Sequence, residues 1–387
     1  MNDTTDGTGG AGATEISARL AAQISDEIAA AEGLLAFDRF MELALYAPGL
    51  GYYVAGAAKL GADGDFVTAP EISPLFGRCL AVQCAEALEQ LGGGDMLELG
   101  AGTGALAVEL LQALEQLEAL PGRYLILEPS PDLQERQRTL IQERIPHLAE
   151  RCAWLPRLPE TLRGIVLANE VLDAMPVHRF GIRDDGAIDE VFVTERAGVF
   201  LEVTAPVRSL GLADAVAALQ AEGFARAPGY SSEINLRLPP WMTALGHTLD
   251  AGLVLLVDYG YPRSAYYQPD RTMGTLMCHL RHQAHDDPYT HIGLQDITAH
   301  VDFTAVAEAG VAAGFDLAGF TTQAHFLIGC GIDRILAESP DAFHLTPGAK
   351  QLLLPTIMGE RFKVMGLTKG IDDALCGFSI RDLSRRL

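Results

Sequence analysis

The stretch DMLELGAGTGALAVELL, residues 95–111, decides the fold. MLEL has the length and apolar content of a buried strand, GAGTG is a glycine turn, and ALAVELL carries apolar residues at helical spacing. Strand, glycine turn and helix in immediate succession open a βαβ unit with a cofactor at the carboxyl end of its first strand. Gly100, Gly102 and Gly104 permit positive φ and let the backbone approach a ligand, while the helix starting near Ala105 presents free N–H groups. Gly100, Gly102 and Ala105 also satisfy the dinucleotide pattern G-x-G-x-x-G/A, so the loop alone fits either a methyl donor or NAD. Glu98, two residues before the first glycine, separates them. It would oppose a pyrophosphate, but it can pair with the ammonium of a methionine moiety, which points to S-adenosyl-L-methionine.

Outward from this loop the βαβ rhythm continues through RYLILEPS, a helix over 131–145 and GIVLANEVL. The expected fold is therefore α/β, doubly wound, with a mostly parallel sheet. Glu128 ends the second strand, where a carboxylate can grip both ribose hydroxyls. Asn169, Glu170 and Asp173 emerge at the carboxyl edge of the next strand, near where a transferable methyl group would point. Two carboxylates three apart suit an arginine acceptor, whose planar five-donor guanidinium takes bidentate carboxylates. The plainer alternative makes Asp173 a helix cap and Asn169 a partner for loop backbone.

Around this core, residues 1–14 (MNDTTDGTGGAGAT) are expected to be a disordered tail with no targeting features. Residues 15–92 read as helices and loops covering the active site, including a loop over 61–77 and a helix opened by Pro74. The core is expected over 93–330, with a strand over 323–328 and an insertion at about 190–250. That insertion opens with a hairpin in EVFVTERAGVFLEV and goes on mainly helical over 205–249. Residues 331–387 are expected to be helices packed on the core.

The 387 residues are 49% hydrophobic, enough for a large core, with no apolar run near the ~20 residues that span a bilayer. Fifty-one acids against 28 bases give a net charge of -23, which repels phosphate backbones and attracts cationic ligands and peptides. Nucleic acid is thereby set aside as substrate, and no membrane insertion is expected. Six cysteines without a C-x-x-C pair suit a reducing cytoplasm. His279, His282, His285, His291 and His300 crowd one stretch, but their spacing lacks a ligand-pair pattern and no metal is expected.

The segments TAPEISPLFGRCLA, LELGAGTG, LANEVLDAMPVHRF, DYGYP, GTLMC and QDITAHVDF, in this order, resemble the MidA-like methyltransferases over about residues 40–366. That family includes the mitochondrial complex I assembly factor, which resembles protein arginine methyltransferases. The resemblance implies a class I methyltransferase sheet of seven strands and a cofactor held by Glu98, Gly100, Gly102, Gly104 and Glu128. It puts Asp65, Phe66 and Thr68 near the donor and NEVLDA, with Asn169, along the acceptor pocket. It also implies a protein substrate, an arginine in a respiratory complex subunit in the eukaryotic relatives, for what reads here as a bacterial cytoplasmic protein. A small-molecule methyltransferase and a non-catalytic, cofactor-binding assembly chaperone remain the alternatives, an NAD oxidoreductase comes last, and a homodimer stays open.

Overall fold

The computed structural model describes residues 7–55 and 68–387, with side chains from residue 14 onward. Among the described residues seven strands run through the central sheet, with the two-residue strand Val301–Asp302 paired beside the end of the fifth: β1 (Asp95–Leu99), β2 (Tyr124–Leu127), β3 (Cys152–Leu155), β4 (Leu162–Asn169), β5 (Leu249–Tyr261), β6 (Asp316–Thr322) and β7 (Phe362–Lys369). Their order is β3-β2-β1-β4-β5-β7-β6. β1 to β5 run parallel, and β7 lies antiparallel to both β5 and β6.

Each inner strand is apolar on both faces because helices cover both. Met96, Ile126, Ile165 and Leu255 pack toward the helices Pro74–Leu91 and Ala105–Gln116. Leu97, Leu125, Val166 and Val254 pack toward Leu238–Thr248 and Phe303–Ala312. This two-sided burial gives strands that read as unbroken hydrophobic runs. The chain leaves β1 toward β2 and β3, then returns to β4 on the other side. The crevice at the carboxyl ends of β1 and β4 is therefore the topological switch point where ligands bind in such sheets.

Between β4 and β5 a second, antiparallel sheet forms from His178–Ile182, Ile188–Arg196, Val199–Pro206, Ser231–Ile234 and the two-residue strand Leu35–Ala36. Ile188–Arg196 and Val199–Pro206 make a hairpin closed by Ala197 and Gly198, both at positive φ (52° and 80°), the signature of a primed turn. The insertion therefore starts near residue 178 rather than 190, and over 205–249 it includes a strand, Ser231–Ile234, beside its helices. A third sheet, of Met277–Leu280, Gln283–His285 and Asp296–Thr298, occupies the histidine-bearing stretch up to His300. The helices Gly7–Ala30 and Phe37–Tyr46 pack with residues of both small sheets through Leu20, Phe40, Val193 and Cys278. This brings Tyr46 and Tyr53 to the crevice.

Three further expectations are corrected. The first helix starts at Gly7, so residues 7–14 of the expected tail are helical, because each residue added to a formed helix gains a hydrogen bond; residues 1–6 lie outside the described residues. Residues 331–387 are not helices alone: FKVMGLTK is β7, seated between β5 and β6, so the core runs to Lys369. A short apolar run buried on both faces shows no strand period, which hides it among helices. The strand expected over 323–328 is instead Asp316–Thr322. QAHFLIG forms a helix that Thr322 starts by accepting a hydrogen bond from the His325 amide.

Candidate active site

A cavity of about 390 Å³ opens at the switch point. Its donor side begins with the glycine loop, where Gly100, Gly102 and Gly104 all take positive φ (65°, 53° and 87°). Gly104 stands at the start of Ala105–Gln116 with no side-chain cap, so that helix leaves its first amides facing the crevice. A Cβ on Gly104 would come within 3.3 Å of Gln137 Cα, so the loop and the helix Pro131–Arg144 meet here without room for a side chain.

Glu98 and Glu128 both line this cavity and are both buried. Glu98 accepts a hydrogen bond from the Tyr124 hydroxyl at 2.7 Å, and burial pushes its carboxyl up to about 7. Glu128 accepts from the Ser130 amide at 2.9 Å and from Gln137 Nε2 at 3.3 Å; burial raises it to about 7 as well. Gln137 also donates to the Gly102 carbonyl at 2.8 Å and accepts from Trp154 Nε1 at 2.8 Å. It therefore ties the glycine loop, the β2 carboxylate and β3 together. Thr68 lines the cavity and starts the one-turn helix Ala69–Ile72. Glu71 of that turn accepts from the Thr68 amide and from Thr103 Oγ1 at 3.2 Å, clamping this turn onto the glycine loop. Asp65 and Phe66 lie outside the described residues.

The facing wall of the cavity is built on the turn after β4. Glu170 holds φ +54°, a left-handed conformation that a non-glycine residue keeps only when its surroundings impose it; its amide donates to the Val257 carbonyl. Its carboxyl receives Asn169 Nδ2 at 3.2 Å. Burial, then the nearby Asp173 charge, push it up to about 8. Asp173 is buried and raised to about 6 by burial, with the Tyr259 hydroxyl, which donates to its Oδ2, pulling the other way. Oδ1 of both Asn169 and Asp173 is buried without a hydrogen-bond partner. Buried polar atoms are nearly always paired, so these two are open positions for a ligand. Asn169, Glu170 and Asp173 line the same cavity as the glycine loop, together with Tyr46 and Tyr53, which stack at 5.5 Å and 21°.

Sequence reasoning missed several of these residues. Glu71 completes a T-x-x-E capping box with the expected Thr68, which was readable. Gln137, Tyr46, Tyr53 and Tyr259 carry no local signal, because only the packing of separate elements brings them here. The five histidines do not converge: His279 and His285 sit on the third sheet, His291 is exposed, and His300 stacks on Tyr261 at 5.3 Å. Among the described residues no group of three or more His, Cys, Asp or Glu side chains is arranged to hold a metal ion.

A family model described as an S-adenosyl-L-methionine-dependent methyltransferase matches residues 79–321, most of the central sheet with its glycine loop. The chain belongs to this family. Similar proteins in animals include the mitochondrial protein arginine methyltransferase NDUFAF7 of Danio rerio, 30% identical, covering 86% of this chain and 83% of that protein. The Homo sapiens protein of the same name is 28% identical over 87% of this chain and 80% of its own. A crystal structure from Burkholderia thailandensis, bound to S-adenosyl-homocysteine, superposes with a TM-score of 0.93 at 42% identity and full coverage of both chains. This methyltransferase thus has the class I sheet, and S-adenosyl-L-methionine is its cofactor. The residues present fit that group: a side-chain-free glycine cradle, free helix amides and two buried carboxylates on the donor side.

Proposed function

We propose that this methyltransferase modifies an arginine of a protein, with Glu170 and Asp173 holding the guanidinium and Asn169 supporting the site. The observation that carries the reading is the pair of carboxyls beside the donor cradle, Glu170 half-buried and Asp173 buried with an unpartnered oxygen. A permanently charged, five-donor acceptor compensates such a pair, whereas a neutral acceptor would leave it unsatisfied. The net charge of -23 and the names of the animal relatives support a cationic protein substrate.

In this reading the donor side holds S-adenosyl-L-methionine through Glu98 at its ammonium, Glu128 at its ribose and the loop Gly100, Gly102, Gly104 at its backbone-facing edge. Asp65, Phe66 and Thr68 are assigned beside them from the sequence resemblance. When bound, the cofactor would supply a sulfonium methyl, whose carbon an in-line nitrogen takes as the C–S bond breaks and the neutral thioether leaves with its electron pair. Glu170 and Asp173 orient that nitrogen and exclude water, and Glu170 takes up the proton that it loses on forming the new C–N bond. In the free protein near neutral pH, Glu170, raised to about 8, carries a proton, and an entering guanidinium favours its release.

The test is to supply methyl-labelled S-adenosyl-L-methionine and proteins of the native lysate, with a respiratory complex subunit as first purified substrate. Label recovered as methylarginine, and cut about 10²-fold by Glu170→Gln, is the expected result. Label confined to low-mass compounds, or to other residues, would overturn the arginine assignment.

A further inference from the structure

Tyr259 belongs to the acceptor site although it does not line the cavity. It follows Asp258 at the carboxyl end of β5, across the strand pair from the turn that carries Asp173. Its hydroxyl donates to Asp173 Oδ2. The backbone beneath that carboxyl is held separately: Asp258 Oδ2 accepts from the amides of Leu172 at 2.9 Å and Asp173 at 3.2 Å, and its Oδ1 accepts from the Tyr259 amide at 2.9 Å. One aspartate thus fixes the main chain of both partners, and the phenol fixes the side chain. The Tyr259 ring is wedged edge-on between His300 at 5.1 Å and Phe362 at 5.5 Å, so the hydroxyl has little freedom to swing elsewhere.

The consequence concerns which oxygen is free. With Oδ2 occupied by a hydroxyl and Oδ1 buried without a partner, Asp173 offers one defined acceptor atom. We propose that Tyr259 is a positioning residue of the acceptor site: by donating to Oδ2 it favours the ionised form of Asp173 and turns Oδ1 toward the incoming acceptor, leaving Glu170 as the carboxyl of the pair that exchanges a proton with it. The two carboxyls thereby take different parts, an anchor and an acid. Among the described residues no neighbouring cation supplies that help: the carboxyls of Asp258 and Glu170 are both raised by the charge of Asp173, Asp296 accepts from Tyr53, and His300 packs on the Tyr259 ring. The phenol is the side-chain donor to the Asp173 carboxyl, with the amides of Ala174 and Asp173 the further groups that favour its charged form.

The inference rests on Asp173 facing the acceptor, so it is tested without turnover. Full-length protein carrying isotope-labelled aspartate carboxyls is titrated by infrared difference spectroscopy, with Asp173→Asn identifying the Asp173 band. Tyr259→Phe should move that band's midpoint up by about one to two pH units, while S-adenosyl-L-methionine affinity stays within about twofold. A fluorinated tyrosine placed at position 259, a stronger donor of the same shape, should move it down. An unmoved midpoint in either protein overturns the proposal. The arginine reading fails separately, when wild type labels no methylarginine although the Asp173 midpoint responds to position 259 as stated.

Discussion

Gly104 shows how one residue sets the donor site. At φ +87°, with Gln137 Cα 3.3 Å from where a Cβ would stand, Gly104→Ala incurs both backbone strain and a contact that the helix behind it must yield to. We expect it to weaken S-adenosyl-L-methionine binding at least tenfold and to cost about 1–2 kcal/mol of stability, read by calorimetric titration and thermal melting. Glu170 poses the opposite case, since its left-handed backbone and desolvated carboxyl are both unfavourable to the fold. Glu170→Gly should therefore leave the melting temperature at pH 7 unchanged or higher while methyl transfer is lost; a marked loss of stability would show that the residue serves the fold rather than the site. The three glycines, Glu98 and Glu128 were legible because a strand, a turn and a helix encode them locally. Gln137 was not, since its three partners belong to the glycine loop, β2 and β3, and no spacing within its own helix announces them.

At the scale of elements, the turn before the helix Pro74–Leu91 joins fold to site. Ser73 accepts from the Leu75 amide and Pro74 stands in the first turn, so the helix has both a cap and a pre-set φ. The preceding turn, Ala69–Ile72, carries Glu71, whose carboxylate meets Thr103 of the glycine loop. Ser73→Ala should cost about 1 kcal/mol, a shift of a few degrees in the melting temperature, and should also weaken cofactor binding because the clamp on the loop loses its anchored end. An unchanged affinity would separate the cap from the site. Pro74 and the glycine-rich loop made this helix readable, whereas β7 was not: its burial pattern is continuous from Phe362 to Thr368, and neither alternation nor helical spacing marks it.

For the molecule as a whole, the buried carboxyls set a pH dependence. Glu98 and Glu128 are raised to about 7 and Glu170 to about 8, from ordinary values near 4.5. Between these limits the folded chain binds more protons than the unfolded one, so unfolding free energy falls as pH rises. His300, lowered to about 4, acts in the opposite sense below about pH 6.5, and Lys363, lowered to about 8 by burial, does so from about pH 8 upward, so the window lies between them. The free protein should therefore lose roughly 1–3 kcal/mol per pH unit between pH 6.5 and 8, seen as a falling melting temperature. Saturating S-adenosyl-L-methionine should flatten the slope, because its ammonium favours ionised Glu98. A melting temperature that rises through this window would show that these carboxyls are ionised in the free fold.

The sequence by itself determined the parallel core, the glycine turn at the end of β1 and the placing of Asn169, Glu170 and Asp173 at the edge of the sheet. Each of these depends on a strand and the turn that follows it, and hydrophobic periodicity and glycine spacing are local properties. Only the tertiary structure decided that β7 runs antiparallel inside the sheet, that a second sheet follows β4, and that Tyr46, Tyr53 and Tyr259 converge on the acceptor side. Those arrangements depend on burial between segments up to 213 residues apart in the case of Tyr46 and Tyr259, and apolar packing carries no directional mark in the chain to say which distant partner it will meet.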